Sequence, residues 1–120
     1  MEIHRIVDDL QPDTVVAPLG VGRHIDHTIT HIATRQFEAR STPIWWYEDL
    51  PYALYPELSG WETRLTSALS PIPIPLAVPH WTTKITAVTS YASQHGVLWH
   101  ALEPWPNQLR DYAKAIGEGQ

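Results

Sequence analysis

The chain has 120 residues, is 43% hydrophobic, carries a formal charge of −5 and has no cysteine. That length fits one domain, and the acidic balance argues against nucleic acid or an anionic membrane surface as a partner. The missing thiols exclude disulfides and thiolate zinc sites, so any metal must be held by nitrogen and oxygen donors.

Ile3, Ile6, Val7 and Leu10 recur at helical spacing, which predicts a short amphipathic helix over 2–10. Its start lacks the apolar core of a signal peptide, and no apolar run in the chain is long enough to span a bilayer, so a cytoplasmic protein is expected. Pro12-Asp13 ends the helix. Thr14–Ala17 is β-branched and apolar and reads as a buried strand. The loop Pro18–Gly22 follows, then a helix from about Asp26 to Glu38. Ile25, Ile29, Ile32, Ala33 and Phe37 form its expected core stripe, which places His24, His27 and His31 on the opposite side, facing solvent or a cleft. Ile44–Tyr47 reads as a second buried strand, and Glu48–Ala53 as a loop at its carboxyl end. This order predicts an α/β layered fold with a parallel sheet and function on the strand-end loops.

Between 54 and 70, Trp61, Leu65, Ala68 and Leu69 have helical spacing, with no clear limits. Prolines at 71, 73, 75 and 79 lack amide donors, so Ser70–Pro79 is an edge strand or an extended connector. Trp81, Ile85, Val88 and Ala92 predict an amphipathic helix with Gly96 as its stop. Asn107 is a suitable N-cap for a last helix through Leu109, Tyr112, Ala113 and Ile116, closed by Gly117. The six tryptophans fit core or cleft wall.

Residues 18–31 concentrate the candidate chemistry. His24, His27 and His31 are three and four apart, so one helix face can carry them toward a metal or an acid–base site. Each also has a plain structural reading. His24 suits a loop, His27 a solvated first turn and His31 the helix surface. Asp26 suits an N-cap, where it also complements the helix dipole. Gly20-Val21-Gly22 could cradle an anion, but it has neither the dinucleotide fingerprint nor the P-loop lysine, which rejects nucleotide binding. Glu48 and Asp49 on the second loop are binding candidates or simply solvate that loop, and Arg23 could contact an acidic group or sit on the surface.

The combination is more specific than its parts. The run from Pro18 to His27, Pro-Leu-Gly-Val-Gly-Arg-His-Ile-Asp-His, resembles the second conserved block of the PIG-L (LmbE-like) zinc-dependent N-deacetylases. Trp46–Ala53 resembles the Tyr-Glu-Asp-Leu-Pro-Tyr segment that follows it in many bacterial members. Trp81–Gln94, with Lys84, Tyr91, Ser93 and Gln94, resembles their later helix. The resemblance implies a Rossmann-like α/β sandwich that removes an acyl group, usually acetyl, from the nitrogen of an amino sugar. It implies zinc held by two histidines and an aspartate. On the matching positions His27 is a zinc ligand, His24 polarises the amide carbonyl, and Asp26 orients His24. Arg23, Glu48 and Asp49 are the substrate-binding candidates.

One departure changes the expectation. The family's opening Ala-His-Pro-Asp-Asp-Glu block, source of the other two ligands and the general base, has no counterpart here. The chain therefore resembles the C-terminal part of such an enzyme, a partial Rossmann-like fold lacking the N-terminal strands. Weak or absent zinc binding and no turnover are expected from it alone. A complementary N-terminal half or self-association is the expected partnership. The alternative is a non-catalytic remnant of the fold that binds a sugar or a partner.

Overall fold

The apolar face of Glu2–Leu10 does form a helix, α1, and His4 on it lies over Phe37, ring centroids 4.5 Å apart. His4 Nε2 and Gln36 Oε1 are 3.0 Å apart and fasten the same two segments. In this computed structural model residues 2–38, 41–55, 68–99 and 104–118 are described, Glu2, Arg23 and Glu118 by backbone alone. The chain divides into two compact units, Met1–Ser67 and Ala68–Gln120. Its architecture is mixed α/β, with a two-stranded parallel sheet among the described residues.

In the first unit, strand β1 (Val15–Pro18) leads through a short 3₁₀ turn, Val21–Arg23, into helix α2 (Ile25–Arg35), and α2 leads to strand β2 (Ile44–Tyr47). The strands are parallel, with Val15 opposite Ile44 and Pro18 opposite Tyr47. Parallel pairing puts both carboxyl ends at the same edge. The loops after Pro18 and after Tyr47 are thus neighbours, and the Leu19 N–H donates to the Tyr47 carbonyl at 2.8 Å. A second 3₁₀ turn, Tyr52–Leu54, closes the later loop.

Burial corrects two expectations. The strands are covered unevenly. Ala17 is buried and Trp46 half-buried, while Val16 and Trp45, paired on the other face, are exposed. Helix α2 is turned the opposite way from its apolar stripe. Ile25, Ile29 and Ile32 are 64, 57 and 58% exposed, whereas His31 and Thr34 are buried. Helical periodicity identifies which residues share a face, but the neighbouring layer decides which face is covered. Here Trp46 supplies that layer, its ring centroid 4.4 Å from that of His31. Phe37 is buried as expected, just beyond the helix end, where its N–H donates to the Thr34 carbonyl at 2.9 Å.

The second unit is helical. Residues 70–77 have no regular structure, in keeping with an extended connector, and helix α3 (Val78–Thr89) begins with Pro79 in its first turn. The expected long helix is interrupted. It ends at Ser90, and helix α4 (Ala92–Leu98) runs through Gly96 instead of stopping there. Helix α5 (Trp105–Glu118) starts two residues before Asn107 and continues through Gly117. Pro106 favours the earlier start, because the first turn has no use for its missing N–H. Trp99, Trp105 and Leu109 form this unit's buried cluster, with the two tryptophan rings 4.9 Å apart and His95 edge-on to Trp105 at 5.3 Å. Among the described residues no helix is long and apolar enough to cross a membrane. The stripe through Trp61 and Leu65 lies outside the described residues.

Candidate functional site

The two strand-end loops meet around one carboxylate. Gly20 and Gly22 adopt φ of +85° and +77°, left-handed conformations that favour glycine, and they turn the chain back on itself after β1. The turn directs two successive amides inward. Gly20 N–H and Val21 N–H both donate to Asp49 Oδ2, at 2.6 and 2.7 Å. Asp49 is 1% exposed. Its other oxygen, Oδ1, lies 2.9 Å from His27 Nδ1 on the first turn of α2. This last approach is close but lacks the alignment of a linear hydrogen bond. A single side chain from the second loop therefore ties the glycine turn to the helix that follows it.

Gly22 packs directly on Tyr52. A Cβ at position 22 would overlap the Tyr52 Cβ, so the second loop can approach only because glycine is there. The Tyr52 ring then stands 5.5 Å from His24 and 5.6 Å, edge-on, from His27, and the two imidazoles are 5.0 Å apart. All three side chains are half-buried, at the lip of the loops. Burial, with further contributions from Tyr55, Asp49 and Asp26, raises the Tyr52 hydroxyl above its ordinary pKa. Burial and Asp49 do the same to Tyr47. Both phenols stay protonated over the neutral range and can donate.

His24 and His27 are brought together at the strand-end edge. His24 is also the N-cap of α2, although it makes no side-chain cap bond, and its Nδ1 is buried with no hydrogen-bond partner among the described residues. Asp26 is exposed in the first helical turn, and no hydrogen bond joins its carboxylate to His24. Glu48 is exposed on the second loop. The Arg23 side chain lies outside the described residues. Two expectations are corrected. Asp49 is not on an open, solvated stretch of the loop: it is buried and both its oxygens face protein groups. His31 is not on the helix surface. It is buried between Trp46 and Gly20, and neither ring nitrogen has a hydrogen-bond partner among the described residues.

Tyr52 was not among the candidates. Its signal in the sequence is indirect: a second glycine two residues after Gly20 marks a place where something approaches the backbone closely. For a metal, the geometry is incomplete. Among the described residues no three histidine, aspartate or glutamate side chains converge as a zinc site requires. The described residues therefore do not by themselves fit a complete zinc centre.

No protein-family model matches the chain, and no solved structure matches it. It is 38% identical over 68 residues to 2'-N-acetylparomamine deacetylase of Streptomyces fradiae, a stretch that covers 56% of this chain and 24% of that protein. The chain thus spans about a quarter of the length of the curated relative it matches.

Proposed function

We propose that this chain carries part of the active site of an amino-sugar N-deacetylase of the PIG-L type, and that it acts on an N-acyl amino sugar only together with residues it does not itself supply. The observation that supports this reading is the pairing of His24 and His27 at the strand-end edge, in a chain whose matched relative is named as a deacetylase of an N-acetylated compound. In the proposed reaction water adds to the acyl carbon and the C–N bond breaks, releasing a carboxylic acid and a free amine. His24 donates to the carbonyl oxygen as negative charge develops on it, a role for which a preorganised donor is effective. Asp26, on the same turn, is the proposed carboxylate partner of His24 once substrate is bound. Arg23 and Glu48 are the proposed contacts to the sugar. His27 is one donor to the zinc expected for the family, with the remaining donors supplied by residues from outside this chain.

The reading is tested by metal analysis and an amide-hydrolysis assay on N-acetylated amino sugars. The chain alone is expected to retain little zinc and to release no acetate. A polypeptide bearing an Ala-His-Pro-Asp-Asp-Glu segment is expected to restore both, and His27→Ala is expected to remove them again. Zinc-dependent turnover by the chain alone overturns the shared-site reading, and equal zinc in the restored wild type and His27→Ala overturns the ligand assignment.

The absence of three converging donors among the described residues favours one second reading, a non-catalytic sugar-binding remnant of the same fold. Calorimetry separates the two. A remnant binds an N-acetyl amino sugar equally well with and without His27→Ala and gains no activity from any added segment.

A further inference from the structure

We propose that Asp49 is a positioning residue that sets the tautomer of His27, holding the proton on Nδ1 and leaving the Nε2 lone pair for the site. This deepens the proposed function, and it rests on that reading only for what Nε2 meets.

A carboxylate is an acceptor and has no proton to offer. Asp49 cannot swing away from its position, because Oδ2 is held by two backbone N–H groups at 2.6 and 2.7 Å and the side chain is 1% exposed. Its Oδ1 is therefore fixed 2.9 Å from His27 Nδ1. Of the two neutral tautomers, only the one with Nδ1–H turns a proton toward that oxygen, although the contact is not a linear hydrogen bond. The other would set two lone pairs against each other at atoms that are both buried. The His27 side chain keeps 31% of its surface, to which the buried Nδ1 contributes almost nothing. A histidine free in water favours the opposite tautomer, so the arrangement has a distinctive signature. Fixing a tautomer through the second nitrogen is also the usual way a donor imidazole is oriented. The same carboxylate holds the glycine turn, so the position of His27 and the shape of the loop are set together.

The test is long-range 1H–15N correlation NMR of the His27 ring in the metal-free chain at a pH where the imidazole is neutral. The wild type is expected to carry its proton on Nδ1. In Asp49→Asn the amide oxygen can still accept from Gly20 and Val21, while the NH2 group turns to His27. The ring proton is then expected to move to Nε2. An Nε2–H tautomer in the wild type overturns the proposal, as does an unchanged tautomer in a folded Asp49→Asn protein. If that variant does not fold, the wild-type spectrum alone decides. An Nδ1–H ring in a chain that never supports zinc binding or deacetylation would leave the role of Asp49 intact and remove the proposed function instead.

Discussion

Gly22 carries two constraints at once, a left-handed φ and the approach of Tyr52. Gly22→Ala is expected to cost about 2 kcal/mol or more from the backbone conformation and the overlap together. Urea unfolding measures it, and a change below about 0.5 kcal/mol would refute the close approach. The Tyr52 hydroxyl gives a pH prediction. Its pKa is raised in the folded chain, chiefly by burial, so the folded state keeps a proton that the unfolded state loses near pH ~10. Its contribution to stability is full below that value and is lost as pH climbs through the folded value. Stability measured across the alkaline range is therefore expected to decline, and Tyr52→Phe to flatten part of that decline. An unchanged slope in Tyr52→Phe would remove Tyr52 as the source. At this scale the sequence marked His24, His27 and Asp49 as worth attention, but it gave Asp49 the wrong environment. Its burial depends on two amides 28 and 29 residues away, a distance no local pattern spans.

The elements of the first unit were largely legible. A β-branched run, a glycine-broken loop, an apolar repeat of period 3.6 and an aromatic run gave β1, α2 and β2 within a few residues. Those signals are local: steric preference in strands, hydrogen-bond spacing in helices and backbone freedom at glycine. The failures are at facing and ending. Helix α2 points its isoleucines outward and a histidine inward. The break between α3 and α4 falls at Ser90 and Tyr91, and Gly96 is helical. Along α3, Thr82, Thr83, Thr86, Thr89 and Ser90 each donate a side-chain hydroxyl to the carbonyl four residues back. Such back-bonding competes with the helical ladder and bends helices, and two of these bonds, from Thr89 and Ser90, fall where this helix ends. Glycine is a permissive stop, not an obligatory one.

For the molecule as a whole, the exposed isoleucines of α2 and the open face of the sheet at Val16, Trp45 and Tyr47 are the features with consequences in solution. Apolar surface of this kind associates, and in a pure sample the available partner is a second copy of the chain. Light scattering across a concentration series is expected to show apparent mass rising above that of one chain, and Ile29→Glu to suppress the rise. A constant monomer mass at every concentration would show that this surface does not drive association.

By itself the sequence determined where α1, β1, α2 and β2 lie, that the strands run parallel, and that two histidines follow the loop at the carboxyl end of β1. These follow from periodicity and chain order, which act over a few residues or a single crossover. Only the tertiary structure decided that Asp49 is a buried brace, that Tyr52 completes the lip, and that α2 turns its histidine face inward. Burial and charge contact are set by what the chain brings opposite a residue, and here the groups that brace Asp49 and close on Gly22 come from the other loop.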